Sequence, residues 1–598
     1  MKKNIYSLLK NKIPLFILLI WTAAIGYFIW QRVNQSGRPP IFDALTYYQK
    51  AKNSWMNLHQ GFPQNPLNVD QATRPPGTVL LSYPFGFHED YHGFLFRSVF
   101  VPFLLWIITI LILVWPKREP NKERSYWSVI LAVFLLGPFP FFFQFDFGSS
   151  AYWGLVDSFL ASMSALALAV VVKSLEKRSR TLLIIGVLIA SICPFIKPSG
   201  CFIYFLTALC WSMLCFVPIF NKSNQDNKAL IRFWRMGSIL FFIMGILILY
   251  LVKSSSYLGN NTVSGLTKNM LILNDESKNN ISLPFFLSLL YETTGPQILI
   301  IASVFIFLIS KSKNKMNEQI PLWVLCSSSF LFFMIGMWFW IWMTGITQVR
   351  YFFPFFLLGL VPLIYASHQM LSSQDARPHP LLYLVSKCVF ILPAINMLLL
   401  LSIINPNNYW QKKSGTSMNI KLNDPGVNMA KQFLSLIANE KTQSTVYDTN
   451  FGDSNNSFVS FGYLDRIIHP ELNGFTNIHP VDWVRPSTFR FTEIILKSNY
   501  IIFRPMKPDE ITQALKDSII SSFGEEEIAI EAYLNSLTLD QGLQTVYQEE
   551  DCKLSKITDK TKLIEAFEPF LMSKQWRPLF LQENKITPQG WKLFQSSE

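Results

Sequence analysis

The sequence has few charged residues for its length. Asp, Glu, Lys and Arg make up 15% of its 598 residues, whereas an average soluble domain holds about 25%. The deficit is uneven, because long apolar runs alternate with short polar segments as far as about Ile404, and the rest has an ordinary soluble composition. A wholly soluble protein is therefore excluded, and the sequence predicts a membrane part followed by a soluble part.

Cysteine is scarce, and the sequence lacks the patterns that it forms in metal and redox proteins. Six of the seven Cys lie in or beside apolar runs, and Cys552 is the one that follows them. A single Cys excludes an internal disulfide in the C-terminal part. There is also no Cys-x-x-Cys pair that would suggest zinc binding or thiol exchange.

Acidic residues are fewer than basic ones, with 39 Asp and Glu against 52 Lys and Arg and a formal net charge of +13. In a soluble protein this excess would suggest a nucleic-acid partner. Here the basic residues concentrate in short segments between apolar runs, so we attribute them to membrane topology. The lipid bilayer is thus an expected partner, and nucleic acid is not.

The apolar runs predict a polytopic α-helical membrane protein with about eleven transmembrane helices, since a spanning helix needs about 20 mostly apolar residues. The first run follows several Lys residues and lacks a small-residue cleavage site, so we predict an uncleaved first helix. The predicted spans lie near 13–30, 94–115, 126–143, 152–172, 181–196, 200–220, 237–252, 296–310, 321–343, 351–366 and 381–404.

Every second connecting segment is basic, beginning with the N-terminal one. These basic segments hold Lys2–Lys12, Lys117–Arg124, Lys173–Arg180, Lys222–Arg235, Lys311–Lys315 and Arg377. The positive-inside rule then puts the N-terminus in the cytoplasm and the longer connecting segments outside. We predict a transmembrane domain at 1–404 and a periplasmic C-terminal domain at 405–598, in the inner (cytoplasmic) membrane of a bacterium.

Two of the predicted outer segments are long enough to carry structure of their own. In the first, residues 31–93, Pro and Gly clusters flank a stretch from Asp43 to Asn57 that reads as an amphipathic helix at the membrane surface. The tail 405–598 mixes helix-like and strand-like stretches, which predicts an α/β domain. The helix-like stretches are 427–439 and 509–517, and the strand-like ones are 444–447, 500–503 and 544–547.

Three carboxylates on the predicted outer side are candidates for chemistry. Asp43 shares one helical face with Tyr47, and it is either a helix cap or a base that deprotonates an acceptor hydroxyl. Asp146 has the context of a turn former. We expect Asp157 about one turn inside an apolar helix, where a carboxylate is costly and marks a functional position, with a helix cap as the alternative.

Four cations also fall on the predicted outer side, against the charge rule. Arg74 lies in the first outer loop, Arg97 starts the second span, Lys197 ends the fifth, and Arg350 precedes Tyr351 at the start of the tenth. Each of them alone is typical of a side chain that snorkels to the membrane surface. Together with the acids, they suit an anionic ligand held in the membrane, such as a lipid phosphate.

The segment from His88 to His92 matches the His-Glu-x-x-His pattern, in which two His bind zinc and the Glu acts as a base. Gly86 and Gly93 flank it closely, which disfavours the helix that this pattern needs. We interpret the segment as a loop that leads into the second span.

Taken in chain order, the candidate acids and cations resemble the motifs of the GT-C superfamily of membrane glycosyltransferases. Among its members are the protein mannosyltransferase-like and lipid A aminoarabinose transferase-like enzymes. The resemblance covers the first ten predicted spans and, in layout, the predicted outer domain. The matching elements are Asp43 with Tyr47, Arg74-Pro-Pro-Gly-Thr78, Arg97, Asp157 after Tyr152-Trp153, Ile196-Lys-Pro-Ser-Gly200, and Arg350-Tyr-Phe-Phe-Pro354.

The resemblance implies a glycosyltransferase that takes a sugar from a polyprenyl-phosphate donor on the outer leaflet. Asp43 would act as the base or orient the acceptor, which is a glycolipid, a polysaccharide or a protein. Arg97, Lys197 and Arg350 would stabilise the departing phosphate. The family often pairs two acids in the first loop, whereas Ala44 follows Asp43 here. That departure leaves a divalent metal ion in doubt, since some members need one and others do not.

Two other classes compete with the enzyme. A transporter or flippase would be expected to show inverted repeats and ionisable residues near mid-span. The sequence shows no internal repeat, and its candidate residues lie at the predicted outer ends of spans. An envelope assembly protein, whose long tail binds a partner, is the second alternative.

Overall fold

The computed structural model divides into two compact units, residues 1–35 with 46–417 and residues 36–45 with 418–598. It describes only part of each unit, together with isolated positions such as 47, 48, 51 and 77. The continuous described segments are 2–35, 91–115, 126–138, 154–197, 199–221, 224–254, 349–372, 383–391, 444–448, 476–480, 499–503, 536–549 and 552–571. The predicted boundary at residue 405 stays a prediction.

The described part of the first unit is helical. Its helices are α1 (Lys2–Gln35), α2 (Tyr91–Val114), α3 (Tyr126–Leu136), α4 (Asp157–Lys177), α5 (Arg180–Ile196), α6 (Gly200–Asn221), α7 (Asn224–Ser254) and, after a 3₁₀ turn at Val349–Phe352, α8 (Phe353–Ser372). Among the described residues, five helices are long and apolar enough to cross a membrane: α1, α2, α4, α7 and α8. This supports a membrane protein with several spans, and the total of about eleven remains a prediction.

Helix α4 is the centre of the described bundle. It packs against α2, α5 and α8, and it is buried along its whole length. Its sequence is rich in Ala, Ser and Leu, whose small members let neighbouring backbones approach closely, as helices in membranes require. In contrast, α1 and α7 leave most of their apolar side chains exposed, which suits helices at the periphery that face lipid.

A tight turn joins α4 to α5. Arg178 adopts the left-handed conformation, with φ of 48°, and its backbone N–H donates to the Leu175 carbonyl. The next N–H, that of Ser179, donates to the Ser174 carbonyl at 2.9 Å, so two of the four orphan carbonyls at the end of α4 are satisfied. The Ser179 hydroxyl then accepts from the Leu182 N–H and caps α5.

Helices α5, α6 and α7 are tied together by polar and close contacts. The Tyr204 hydroxyl on α6 donates to the Phe241 carbonyl on α7 at 2.6 Å, and it also hydrogen-bonds with the Ser191 side chain on α5. Further along, Gly237 on α7 faces the fully buried Trp211 ring, and a Cβ at Gly237 would lie 2.5 Å from that ring. Glycine at this position therefore sets how closely α6 and α7 pack.

The described part of the second unit is a five-stranded sheet with the order β2-β1-β3-β5-β4. Its strands are β1 (Ser444–Asp448), β2 (Thr476–Pro480), β3 (Tyr500–Phe503), β4 (Leu543–Glu549) and β5 (Cys552–Ile557), followed by α9 (Lys560–Leu571). Strand β1 pairs in parallel with β2 and β3, while β5 pairs antiparallel with β3 and β4. Burial of the Tyr500, Ile501 and Leu554 side chains fixes its register.

Several predicted boundaries need correction. Helix α3 ends at Leu136 rather than at 143, because Gly137 and Pro138 follow it. Helix α7 begins at Asn224 rather than near 237, so Lys228, Arg232 and Arg235 of the predicted connecting segment are helical. The predicted strands at 444–447, 500–503 and 544–547 coincide with β1, β3 and β4. The predicted helices at 427–439 and 509–517 and the spans at 296–310 and 321–343 lie almost wholly outside the described residues.

The close contact at Gly237 generates a matched pair of variants. Gly237→Ala puts a methyl group into the buried Trp211 ring and is expected to destabilise the protein by about 1–3 kcal/mol. Gly245→Ala on the same helix meets only the Tyr204 ring, at an ordinary 3.6 Å, and should leave stability unchanged or raise it slightly. Thermal unfolding in detergent compares the two, and equal melting temperatures would contradict the packing described.

Candidate functional site

Asp157 is the first residue of α4, and not one turn inside it as predicted. Gly154 adopts φ of +75°, which breaks the helix ahead of this point. The N-cap is Val156, which makes no side-chain cap hydrogen bond, so Asp157 is not the cap either. Its carboxylate lies at the positive end of the helix dipole and is only 2% exposed.

Lys197 lies at the end of α5 and reaches Asp157. Its backbone is extended, with φ of −154° and ψ of 149°, because the residue before a proline avoids the helical region and Pro198 follows. The Lys197 ammonium donates a hydrogen bond to Asp157 Oδ1 and forms an ion pair with it. Both side chains are buried, so this pair joins α4 to α5 away from solvent.

Tyr351 is a third residue, and its ring contacts the Lys197 ammonium of this pair. It lies in the 3₁₀ turn directly before α8, and its ring centroid is 3.9 Å from Lys197 Nζ. An ammonium held over an aromatic face within about 6 Å is attracted by the ring quadrupole. Nearby, the Phe202 and Phe355 rings pack edge to face between the first turns of α6 and α8. Four helices therefore meet around Lys197.

Arg97 lies on α2, beside the turn that precedes α4. Predicted to start the span, it is instead in the second turn of a helix that begins at Tyr91. Its residue exposure is 6%, so it is buried within the protein and does not snorkel to a surface. Phe94, one turn earlier, is 2.9 Å from where a Cβ on Gly154 would be, which puts this part of α2 against the approach to Asp157.

The first predicted outer loop contributes a buried segment to the same end of the bundle. Tyr47, Tyr48 and Ala51 are at most 1% exposed, and the Tyr48 ring packs edge to face on Phe94 at 5.4 Å. Tyr47, predicted to bind substrate, is thus adjacent to a residue that contacts α2. Asp43 itself lies outside the described residues.

Gly77 is a site-forming residue whose role the sequence reasoning missed. A Cβ on Gly77 would lie 2.3 Å from the Ile196 Cα, so only glycine fits where this loop crosses the end of α5. That contact puts Gly77 against the residue that precedes Lys197. The Gly in Arg74-Pro-Pro-Gly was visible as punctuation, but its partner in α5 was not.

The remaining predicted site residues are not placed. Arg74 and Asp146 lie outside the described residues, and for Arg350 only the backbone, in the 3₁₀ turn before α8, is described. The structure therefore brings together Asp157, Lys197 and Tyr351, with Arg97 and Tyr47 on neighbouring elements. Whether Asp43, Arg74, Asp146 and Arg350 join them stays a prediction.

Metal binding finds no ligand set in the described part of the chain. There, no three His, Cys, Asp or Glu side chains come together as metal ligands would. Of the His-Glu-x-x-His segment, Tyr91 and His92 are the beginning of α2, and the three preceding residues lie outside the described ranges.

The chemistry open to this cluster is anion recognition at the end of a membrane bundle. Asp157 and Lys197 cancel each other's charge, so the pair is tolerable at a depth where a single charge is costly. An ammonium has three donors, which allows Lys197 to hold Asp157 and an incoming anion together. Arg97 on the neighbouring helix adds positive charge that such an anion would need.

Comparison with known proteins finds similar solved structures. The chain is similar to the crystal structure of ArnT from Cupriavidus metallidurans bound to undecaprenyl phosphate, with 13% sequence identity and a TM-score of 0.43. The match covers 90% of this chain and 97% of that chain. No family model and no curated protein matches the chain.

The buried pair predicts a non-additive pattern of stability. Lys197→Met leaves the Asp157 carboxylate buried without its cation and is expected to cost about 3–5 kcal/mol. The double variant Asp157→Asn with Lys197→Met removes both charges, so it should recover most of that loss. Thermal unfolding monitored by Trp fluorescence measures both.

Lys177→Met supplies the control, since Lys177 is exposed at the end of α4, the helix that begins at Asp157. It should change the melting temperature little. A double variant that is no more stable than Lys197→Met alone would show that the two side chains do not act as a pair.

Proposed function

We propose that the protein is a glycosyltransferase that moves a sugar from a polyprenyl-phosphate donor to an acceptor hydroxyl at the outer face of the cytoplasmic membrane. The observation that carries the proposal is the buried Asp157–Lys197 pair over Tyr351 at one end of a bundle of membrane-spanning length. A cation held at such a position suits a lipid-borne anion. Asp157 and Lys197 are also the residues to which the family resemblance assigns an acid and a cation.

The reaction begins at the acceptor hydroxyl. Asp43 accepts the hydroxyl proton as the oxygen attacks the anomeric carbon of the donor sugar, with inversion there. The new bond is between the acceptor oxygen and the anomeric carbon, and the bond that breaks joins this carbon to the phosphate oxygen. Polyprenyl phosphate leaves with the electron pair, so negative charge grows on the phosphate.

Stabilisation of that charge is assigned to the cations. Lys197, Arg97 and Arg350 belong to three different elements, which suits a phosphate held from several sides. Asp157 acts by holding the Lys197 ammonium in place, rather than by touching the sugar. The Tyr351 ring contacts the same ammonium. Binding of the donor and the acceptor is assigned to Tyr47, Arg74 and Asp146.

The requirement for a lipid-linked donor follows from the proposed orientation. Nucleotide sugars are cytoplasmic, whereas the positive-inside pattern puts this end of the bundle outside. The acceptor is a glycolipid, a polysaccharide or a protein that reaches the periplasm. The C-terminal domain, on the same side in this topology, is close to acceptors of all three kinds.

Asp43→Asn is the variant that tests the catalytic assignment. We expect turnover to fall about 100- to 10,000-fold, because the acceptor loses its base, while protein abundance stays unchanged. Mass spectrometry of envelope glycolipids and glycoproteins is compared in cells without the gene, with the wild type and with the variant. One species should lose a sugar-sized mass without the gene, regain it with the wild type, and remain deficient with Asp43→Asn.

Asp226→Asn is the matched control, since it makes the same isosteric change at the predicted cytoplasmic start of α7. It should restore glycosylation as the wild type does. If Asp43→Asn also restores it, Asp43 is a helix cap and not the base. If cells without the gene have the same glycans as cells that produce the wild-type protein, the enzyme assignment is wrong. Transport or envelope assembly then takes its place.

A further inference from the structure

A second buried ion pair lies at the opposite end of α4 from Asp157. Lys173 Nζ is 2.8 Å from Glu176 Oε2, and each residue is 7% exposed. The same ammonium lies over the ring of Tyr365 on α8, 5.9 Å from its centroid. The proposed function makes no use of this group, although ionisable residues inside a membrane bundle are costly and usually serve a purpose.

The two ends of the α4–α8 contact repeat one arrangement. At each end, an acid on α4 pairs with a Lys whose ammonium lies over a Tyr ring on the segment 349–372: Asp157 with Lys197 and Tyr351, and Glu176 with Lys173 and Tyr365. Lys173 follows Asp157 by 16 residues, a rise of about 24 Å, and Tyr365 follows Tyr351 by 14, a rise of about 21 Å. The helices therefore run parallel, with contacts at both ends that have nearly equal spacing.

Between these ends, one face of α4 carries a row of small side chains. Ala161, Ala165 and Ala169, spaced four residues apart, are fully buried on it. Small side chains permit close packing, but they offer few knobs that would resist a slip of one turn, about 5.4 Å. Buried polar and ionic groups are best known for specifying register in helical assemblies, at little net gain in stability.

We infer that Lys173, Glu176 and Tyr365 are positioning residues that fix the register of α4 against α8 and so hold Asp157 and Lys197 opposite Tyr351. The competing view is that the ion pair merely stabilises its own end of α4, as i, i+3 pairs do. The two views differ in whether the ends of the helix are energetically coupled. Whether the two ends are coupled does not depend on which reaction the protein catalyses, so the inference does not rest on the proposed function.

A double-mutant cycle on melting temperature tests the coupling. Tyr351→Leu removes the ring under Lys197, and its effect is measured in the wild type and in a Lys173→Met, Glu176→Gln background, which leaves no orphan charge. Sites this far apart normally act additively. If the pair sets the register, the melting-temperature shift caused by Tyr351→Leu should shrink by about half or more in that background. Equal shifts in both backgrounds would overturn the inference.

Three further backgrounds make the result decisive. Lys173→Arg keeps a cation over the Tyr365 ring and should preserve the wild-type shift. Lys177→Met removes an exposed charge from the same end of α4 and should also preserve it. Tyr365→Leu leaves the ion pair intact and is the milder variant if the neutral pair does not fold. It should reduce the Tyr351→Leu shift, and an undiminished shift there would again contradict the inference.

Discussion

The ion pair between Asp157 and Lys197 is the constraint on which the described membrane part depends. It joins the start of α4 to the end of α5, and the ring of Tyr351 extends the contact to α8. Neither charge would be stable if it were buried alone, so α4, α5 and the turn before α8 must pack together. The extended backbone before Pro198 and the glycines at 77 and 154 are local solutions that let the chain meet this requirement.

The surrounding packing follows from the absence of a hydrophobic driving force between helices in lipid. Helix α4 achieves close contact through small side chains, and α6 and α7 do so where Gly237 faces Trp211. Directional contacts then select one arrangement among many of similar energy. The Tyr204 hydroxyl bond to Phe241 and the ion pair at Lys173 are contacts of this type.

Sequence reasoning was strongest where the signal is local. Apolar run length located α2, α5 and α6 to within a few residues, and alternation located three strands of the sheet. Asp157 and Lys197 stood out because charge is rare in such runs, yet their pairing spans 40 positions and leaves no periodic trace. The start of α4 was missed because hydropathy does not register the positive φ of Gly154. The approach of Gly77 to Ile196 could not be foreseen either, because hydropathy does not register contacts between distant segments of the chain.

The tight turn at Arg178 and Ser179 bears on how the chain enters the bilayer during synthesis. A lone Asp or Lys in an inserting segment opposes insertion, most strongly at the helix centre, where the cost is about 2.5–3.5 kcal/mol. Because so few residues join α4 to α5, the two segments can partition side by side as a helical hairpin. Asp157 and Lys197 are then delivered to the same end as a neutral pair. The 17 residues of α5 are near the lower limit for a spanning helix, which favours its entry together with α4 as a hairpin.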